Sequence, residues 1–310
     1  MTLEPILVTG SHRSGTTWIG RTLTRSPRLA WVAEPFHPQH RQGVFGGRFP
    51  HWFMYLCAEN AGPWVDDFER LLDARYRWVL GAKGIRRPVD AGLAARDAGR
   101  FIRRRLTHQR PLIKDPIALF STPWLAERFD MDVVLMVRHP AAFAWSLVRL
   151  DWRFDLANWL DQPLLCRDLI GPWEDDLRRM HERGRSGRTT IEEAALLWSV
   201  MYGVADGWRA AYPDWHFVRH EDISADPRAG FAELCAALDV PFDATISAMI
   251  ETTTAQNNPV AAPANRAHAL ARDSRGNRRA WAERLAHDDI EALRELTEPV
   301  ATRWYGAEDW

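Results

Sequence analysis

Lysine is nearly missing from this chain of 310 residues. Only Lys83 and Lys114 occur, so the basic charge is carried almost entirely by arginine. Three scattered cysteines (Cys57, Cys166, Cys235) are too few and odd in number for a disulfide framework, and their spacing suits no zinc site. They read as small core residues. A net charge of −1 removes the basic excess that bulk nucleic-acid binding needs. No apolar run approaches the ~20 residues of a membrane span. The first strand-like run lies within a few residues of Met1 and leaves no room for a cleavable signal, so the expected location is cytoplasmic. Internal repeats and low-complexity linkers are absent as well.

Tryptophan is abundant instead, with 16 copies. Most are expected in the core, but several between residues 31 and 78 could wall a pocket for a flat or sugar-like ligand. Apolar runs at 5–9 and 112–113, and Asp132-Val-Val-Leu-Met-Val137, read as strands, the last being short, continuous and β-branched. An extended piece covers 29–33 and a further strand 216–219. Helical patterning falls at 15–25, 66–80, 90–107, 117–129, 141–150, 190–211 and 227–238. In a final helix Ile290, Leu293, Leu296 and Val300 share one face. Strands alternating with helices predict an α/β fold of three layers, a parallel sheet flanked by helices on both faces. Ligands in such sheets bind beyond the carboxyl ends of the strands. The polar clusters at 10–17, 34, 114–115, 138 and 220–222 all follow strands, which gathers them into one site.

The most informative stretch is Val8-Thr-Gly-Ser-His-Arg-Ser-Gly-Thr-Thr-Trp18. A strand feeding a small hydroxyl-rich turn and then a helix offers unpaired N–H groups and the positive dipole end to an oxyanion. The glycine spacing is that of a P-loop, but Thr16 stands where a nucleotidase carries lysine, and the cation is Arg13. The turn reads as a phosphate or sulfate grip.

Arg13-Ser14-Gly15-Thr16-Thr17-Trp18 resembles the 5′-phosphosulfate loop of sulfotransferases that use 3′-phosphoadenosine 5′-phosphosulfate (PAPS). Arg138-His139-Pro140, with Ser146 eight residues after the arginine, is similar to that family's 3′-phosphate motif. Ser274-Arg275-Gly276, with Trp281 beyond, resembles its third signature, a loop that closes over the nucleotide. The three occur in the family's order, and the resemblance spans residues 5–305. It implies a P-loop, nucleotide-kinase-like fold in a single domain over 1–310, with insertions around 36–110 and 151–190 that shape the acceptor pocket.

The resemblance further implies transfer of a sulfuryl group from PAPS to a hydroxyl of a small-molecule, sugar or glycolipid acceptor, leaving PAP, with no metal. Ser14, Gly15, Thr16 and Thr17 would hold the 5′-phosphosulfate, and Trp18 would stack near the adenine. Arg138 and Ser146 would take the 3′-phosphate, on which Arg275 and Gly276 would close. Within the run 272–279, Arg272, Arg278 and Arg279 compete with Arg275 for that contact. Trp281 suits core and site equally. Arg13 and Lys114 would stabilise charge on the bridging oxygen.

Cytosolic members offer a histidine base two residues after the lysine, where this chain has Pro116. Glu34, in a Glu-Pro pair like that of carbohydrate and bacterial glycolipid sulfotransferases, is the expected general base, with His37 and His12 as alternatives. Glu221-Asp222 is expected to support the site. Two other readings stay open: a P-loop kinase or NTPase, against which the missing loop lysine counts, and a non-catalytic homologue that binds PAP.

Overall fold

Strand β1 (Ile6–Gly10) is buried along its whole length, and that burial organises the protein. In the structure, a computed structural model describing residues 4–260 and 270–310, it lies at the centre of a five-stranded sheet. The other strands are β2 (Leu29–Ala33), β3 (Arg110–Lys114), β4 (Asp132–Val137) and β5 (His216–Arg219). Their order is β2-β3-β1-β4-β5, and every neighbouring pair is parallel.

Successive side chains of a strand point to opposite faces. Leu7, Val133, Leu135 and Val137 accordingly join one core cluster, while Ile6, Val8, Val134 and Met136 join another. The first face is covered by the Pro140–Leu150, Thr190–Ala211 and His287–Ala301 helices through Phe143, Trp198 and Leu293. The second is covered by the Thr16–Leu23, Pro227–Ala237 and Ala244–Thr254 helices through Ile19, Phe231 and Ile246. Both faces of a parallel sheet must be covered because its strands are apolar on each side. The expected three-layer α/β architecture is thus the observed one.

Several local expectations shift. The 66–80 helix divides into Val65–Leu72 and Trp78–Lys83, because Ala74 adopts φ 54 between them. The segment after β3 begins as a 3₁₀ turn, Pro116–Ser121, before the Thr122–Phe129 helix. A short helix, His220–Ala225, follows β5 directly and was not expected. In the last helix Leu296 is 51% exposed and Thr297 takes its place inside, since a step of four residues, not three, returns to the face of Leu293. Cys166 and Cys235 are buried, Cys57 is partly buried, and all three are free thiols.

β1 is flanked by β3 and β4; the chain runs from β1 to β2 and β3 on one side of it and then crosses to β4 and β5 on the other, so strand order reverses at β1. The crevice beyond the carboxyl ends of β1, β3 and β4 is the switch point where open α/β sheets place ligands. None of the helices among the described residues is long and apolar enough to cross a membrane.

Candidate active site

A cleft of about 520 Å³ opens at that switch point. Its floor is the turn after β1. Gly10 (φ 143) pairs with Met136 on β4, and a Cβ there would stand 2.4 Å from the Met136 carbonyl oxygen, so only glycine permits the approach. The turn is stitched from within: the Ser14 hydroxyl donates to the Ser11 carbonyl at 2.6 Å, and the Ser11 and Tyr202 hydroxyls lie 2.7 Å apart. Gly15 (φ 97) then opens the Thr16–Leu23 helix with no side-chain cap. Gly15, Thr16 and Thr17 line the cleft and leave the helix start to a ligand. A Cβ on Gly15 would strike the His220 ring at 2.5 Å.

Arg13 joins two of the motifs. Held at φ 68, its Nε donates to the Ser146 hydroxyl at 2.8 Å, across 133 residues of sequence. Arg138, Arg149 and Arg272 line the same cleft. Burial first, and then the charges of Arg149, Arg138 and Arg272, push the Arg13 guanidinium down to about 10. Arg272 is held at about 10 by burial and by Arg149 and Arg138. Buried nitrogens of Arg138 (Nε) and Arg272 (Nη1) have no hydrogen-bond partner. Such a gathering of guanidiniums is costly unless an anion joins it.

Glu221 Oε1 lies 3.4 Å from Arg138 Nε. Glu221 also accepts from the His139 backbone N–H (3.2 Å) and from the Tyr305 hydroxyl (2.9 Å). Asp222 lies outside the cleft, 3.4 Å from Arg219.

The opposite wall holds Lys114 and Glu34, at the ends of neighbouring strands. The Glu34 backbone N–H donates to the Lys114 carbonyl at 2.9 Å, and their side chains form an ion pair. Lys114 is buried while Glu34 is part-exposed, with its backbone at φ 39. Beneath them Asp115 is fully buried and accepts from the Phe36 and Ile117 N–H groups at 2.8 and 3.1 Å. Burial, reinforced by the charge of Glu34, raises its carboxyl to about 8.

His37 also lines the cleft, packed on Trp52, but its Nδ1 accepts the Gln39 N–H at 3.0 Å, which leaves the ring proton on Nε2. His12 sits among Phe53, Phe143 and Trp152 with neither ring nitrogen hydrogen-bonded, and burial lowers it to about 3. Beyond Glu34 the wall becomes aromatic, with Trp52, Phe53, Trp152 and Phe154.

Arg13, Gly15, Thr16, Thr17, Trp18, Glu34, Lys114, Arg138 and Ser146 therefore meet in one cleft. Ser14 does not line it, because its hydroxyl is spent inside the turn. Nor do Arg275 and Gly276: the Asp273 carboxylate accepts the Gly276 N–H at 3.0 Å, and both residues lie exposed on that turn. The same segment presents Arg272, Ser274 and Asn277 instead. Trp281 is core, stacked on His139 with ring centroids 4.8 Å apart. Arg149 and Thr253 reach the cleft with no motif that the sequence reading used, while His220 comes from the 220–222 cluster expected there after a strand. No cluster of His, Cys, Asp and Glu among the described residues could hold a metal ion.

The sequence model of the sulfotransferase family matches residues 5–244. Among solved structures, the chain is similar to the sulfotransferase domain from the curacin biosynthetic pathway, at 13% identity, covering 97% of this chain and 99% of that one, with a TM-score of 0.48. It is also similar to the sulfotransferase domain of the Synechococcus PCC 7002 olefin synthase (15% identity, 96% and 94% covered, TM-score 0.46). A mouse sulfotransferase complexed with PAP is a third (12% identity, 94% and 82% covered, TM-score 0.42). No curated protein matches the sequence.

Proposed function

This chain belongs to the sulfotransferase family, and from that premise we propose that it transfers the sulfuryl group of PAPS to an acceptor hydroxyl on a small molecule, sugar or glycolipid. The observation that carries the reading is the Arg13–Ser146 hydrogen bond inside a cleft shared with Arg138. It supports a reading in which the 5′-phosphosulfate loop and the 3′-phosphate motif would share one ligand with an anionic group at each end.

The Arg272 Nη1, with no hydrogen-bond partner, and the Arg138 guanidinium, whose Nε has only the 3.4 Å approach of Glu221, suit a phosphate oxygen. Gly15, Thr16 and Thr17, at an uncapped helix start, would hold the 5′ end, and Trp18 and His220 would flank the adenine. Arg272, which reaches the cleft, takes the phosphate contact that the motif spacing had assigned to Arg275.

Sulfuryl transfer, like loose phosphoryl transfer, depends on alignment and on neutralising charge at the bridging oxygen. Arg13 and Lys114 would supply that charge. Glu34 would take the acceptor proton: its carboxylate is part-exposed at the cleft wall, whereas His37 keeps its proton on Nε2 and His12 is too weakly basic at about 3. The aromatic wall would hold the acceptor body.

Thermal melting with nucleotides tests the donor. At about 100 times its Kd a ligand adds about 2.7 kcal/mol of stability. PAP without magnesium should raise the melting temperature, and ATP with magnesium should not; the reverse result would favour a phosphotransferase. Incubation with PAPS and candidate acceptors, read by mass spectrometry for the gain of one sulfuryl group, separates an enzyme from a non-catalytic PAP-binding homologue.

A further inference from the structure

The Pro88–Thr107 helix is built inside out. Its buried side includes two charged residues, Asp97 and Arg104, 3% and 5% exposed. Arg41 pairs with Asp97, and the Arg104 guanidinium donates to the Leu71 and Leu72 carbonyls. The opposite side carries Gly92, Ala95, Gly99, Ile102 and Leu106, spaced by three and four residues and all exposed. A Cβ added at Gly92 or Gly99 would meet nothing within 4 Å, so that side faces open solvent.

The neighbouring Trp78–Lys83 helix carries exposed apolar side chains of its own, Trp78 and Val79. Tyr76 contacts both Trp78 and Phe101, which ties the two helices together. Of the ten exposed large hydrophobic side chains among the described residues, six (Trp78, Val79, Ile85, Val89, Ile102, Leu106) fall within residues 78–106. That concentration marks a binding face and not scattered surface leucines.

Its charge identifies the partner. Residues 78–106 contain eight arginines and lysines against two aspartates, a local charge of +6 in a chain whose total is −1. Lys83, Arg86, Arg103 and Arg105 form no ion pair among the described residues and are exposed. A second copy of the same face would set these charges against each other. A nucleic acid would leave the tryptophan and aliphatic side chains unmatched. An exposed tryptophan and aliphatics among free basic side chains, along a helix ~30 Å in length, match the interface of an anionic bilayer, where apolar groups enter the headgroup region and arginines meet phosphates.

We propose that residues 78–106 form a peripheral docking surface for a membrane rich in anionic phospholipid.

Vesicle co-sedimentation of the full chain tests this. Vesicles of phosphatidylcholine with about 30% phosphatidylserine should pellet the protein, pure phosphatidylcholine should not, and 0.5 M salt should release it. The double variant R103E/R105E and the single variant Trp78→Ser should each weaken binding about tenfold. Both alter exposed side chains, and a circular-dichroism melt unchanged from the parent confirms their folding. The salt and lipid dependence of the parent chain stands as a second readout independent of any variant. No pelleting with anionic vesicles would assign the face to a protein partner and overturn the proposal. Equal binding to neutral vesicles, or full binding by the folded variants, would overturn it as well.

Discussion

The two ends of the cleft are built differently. At the end where β1 and β4 stop, the site consists of backbone turns and arginines set directly on strand termini: Gly10 to Thr17 after β1, and Arg138 after β4. Their positions follow from parallel pairing, because Gly10 stands in register with Met136, two residues before Arg138. At the other end, Trp52, Phe53, Trp152 and Phe154 come from long irregular segments between elements. Those segments are held by side chains reaching far along the sequence. Asn158 accepts from the Trp52 N–H, and Gln162 from the Tyr55 N–H. Sheet geometry thus fixes the arginine-lined end, while side-chain hydrogen bonds and packing fix the aromatic wall. A function that varies in its acceptor and keeps its donor would be expected to divide its architecture in this way.

The division is open to experiment, and the proposed chemistry gives the largest effect. Lys114→Ala should lower kcat by about 10²–10³ with little change in PAP affinity, since one transition-state contact is lost. Steady-state rates set beside PAP titrations check this, and equal losses in both would move Lys114 to the donor grip. Next comes Arg138→Ala. Losing a charge-assisted hydrogen bond costs about 1.5–3 kcal/mol, so PAP affinity should fall about 10- to 100-fold by calorimetry.

Arg272→Ala and Arg275→Ala sharpen the comparison within one short segment. The first should weaken PAP about tenfold, and the second, exposed and outside the cleft, should change it less than about twofold. The opposite ranking would mean that the segment rearranges when nucleotide binds. At the aromatic end, Trp52→Ala should raise the acceptor KM several-fold and leave PAP binding unaltered. A matching loss of PAP affinity would show that the two ends are not independent.

The smallest effect concerns pH. His12, His139 and His220 are pushed down by burial first and neighbouring arginines second, the first two to about 3. They stay neutral in the fold but take up protons in the unfolded chain below about 6.5. Their contribution is complete above that pH and drains away as pH falls towards 3. Asp115 acts in the opposite sense. With its carboxyl raised to about 8, it is protonated in the fold and ionised in the unfolded chain above about 4, so its contribution fades as pH rises towards 8. Stability should peak between about pH 6 and 7. Urea melts across that range should show the acid-side slope of His12→Phe reduced by about 1.4 kcal/mol per pH unit, one proton's worth.

Legibility followed the same division as the cleft. β1 and β4 were plain because each is a continuous apolar run, and the residues following them were plain because a strand end aims them at the switch point. That the 10–17 turn and the 138–146 motif share one site was expected, but the Arg13–Ser146 contact itself was made visible only by the fold. Ser14 and Arg275 show where pattern reading stops: each sits inside a motif, yet one hydroxyl is consumed by its own turn and one guanidinium points outward. The 220–222 cluster was legible as part of the site, but the place of His220 against Gly15 was not, because it depends on the packing of a short helix after β5. The outward apolar stripe of the Pro88–Thr107 helix was equally hidden. Helical spacing reveals that a face exists but not which way it looks.

The sequence by itself determined the parallel α/β framework, the family, and the strand ends that gather into one cleft, because these depend on local runs and on the backbone geometry of short turns. Tertiary structure alone decided which arginine of the 272–279 run reaches the cleft, which histidines can carry a proton, and how the aromatic wall is assembled. Those outcomes depend on burial and on contacts between residues more than a hundred positions apart, which no local pattern encodes.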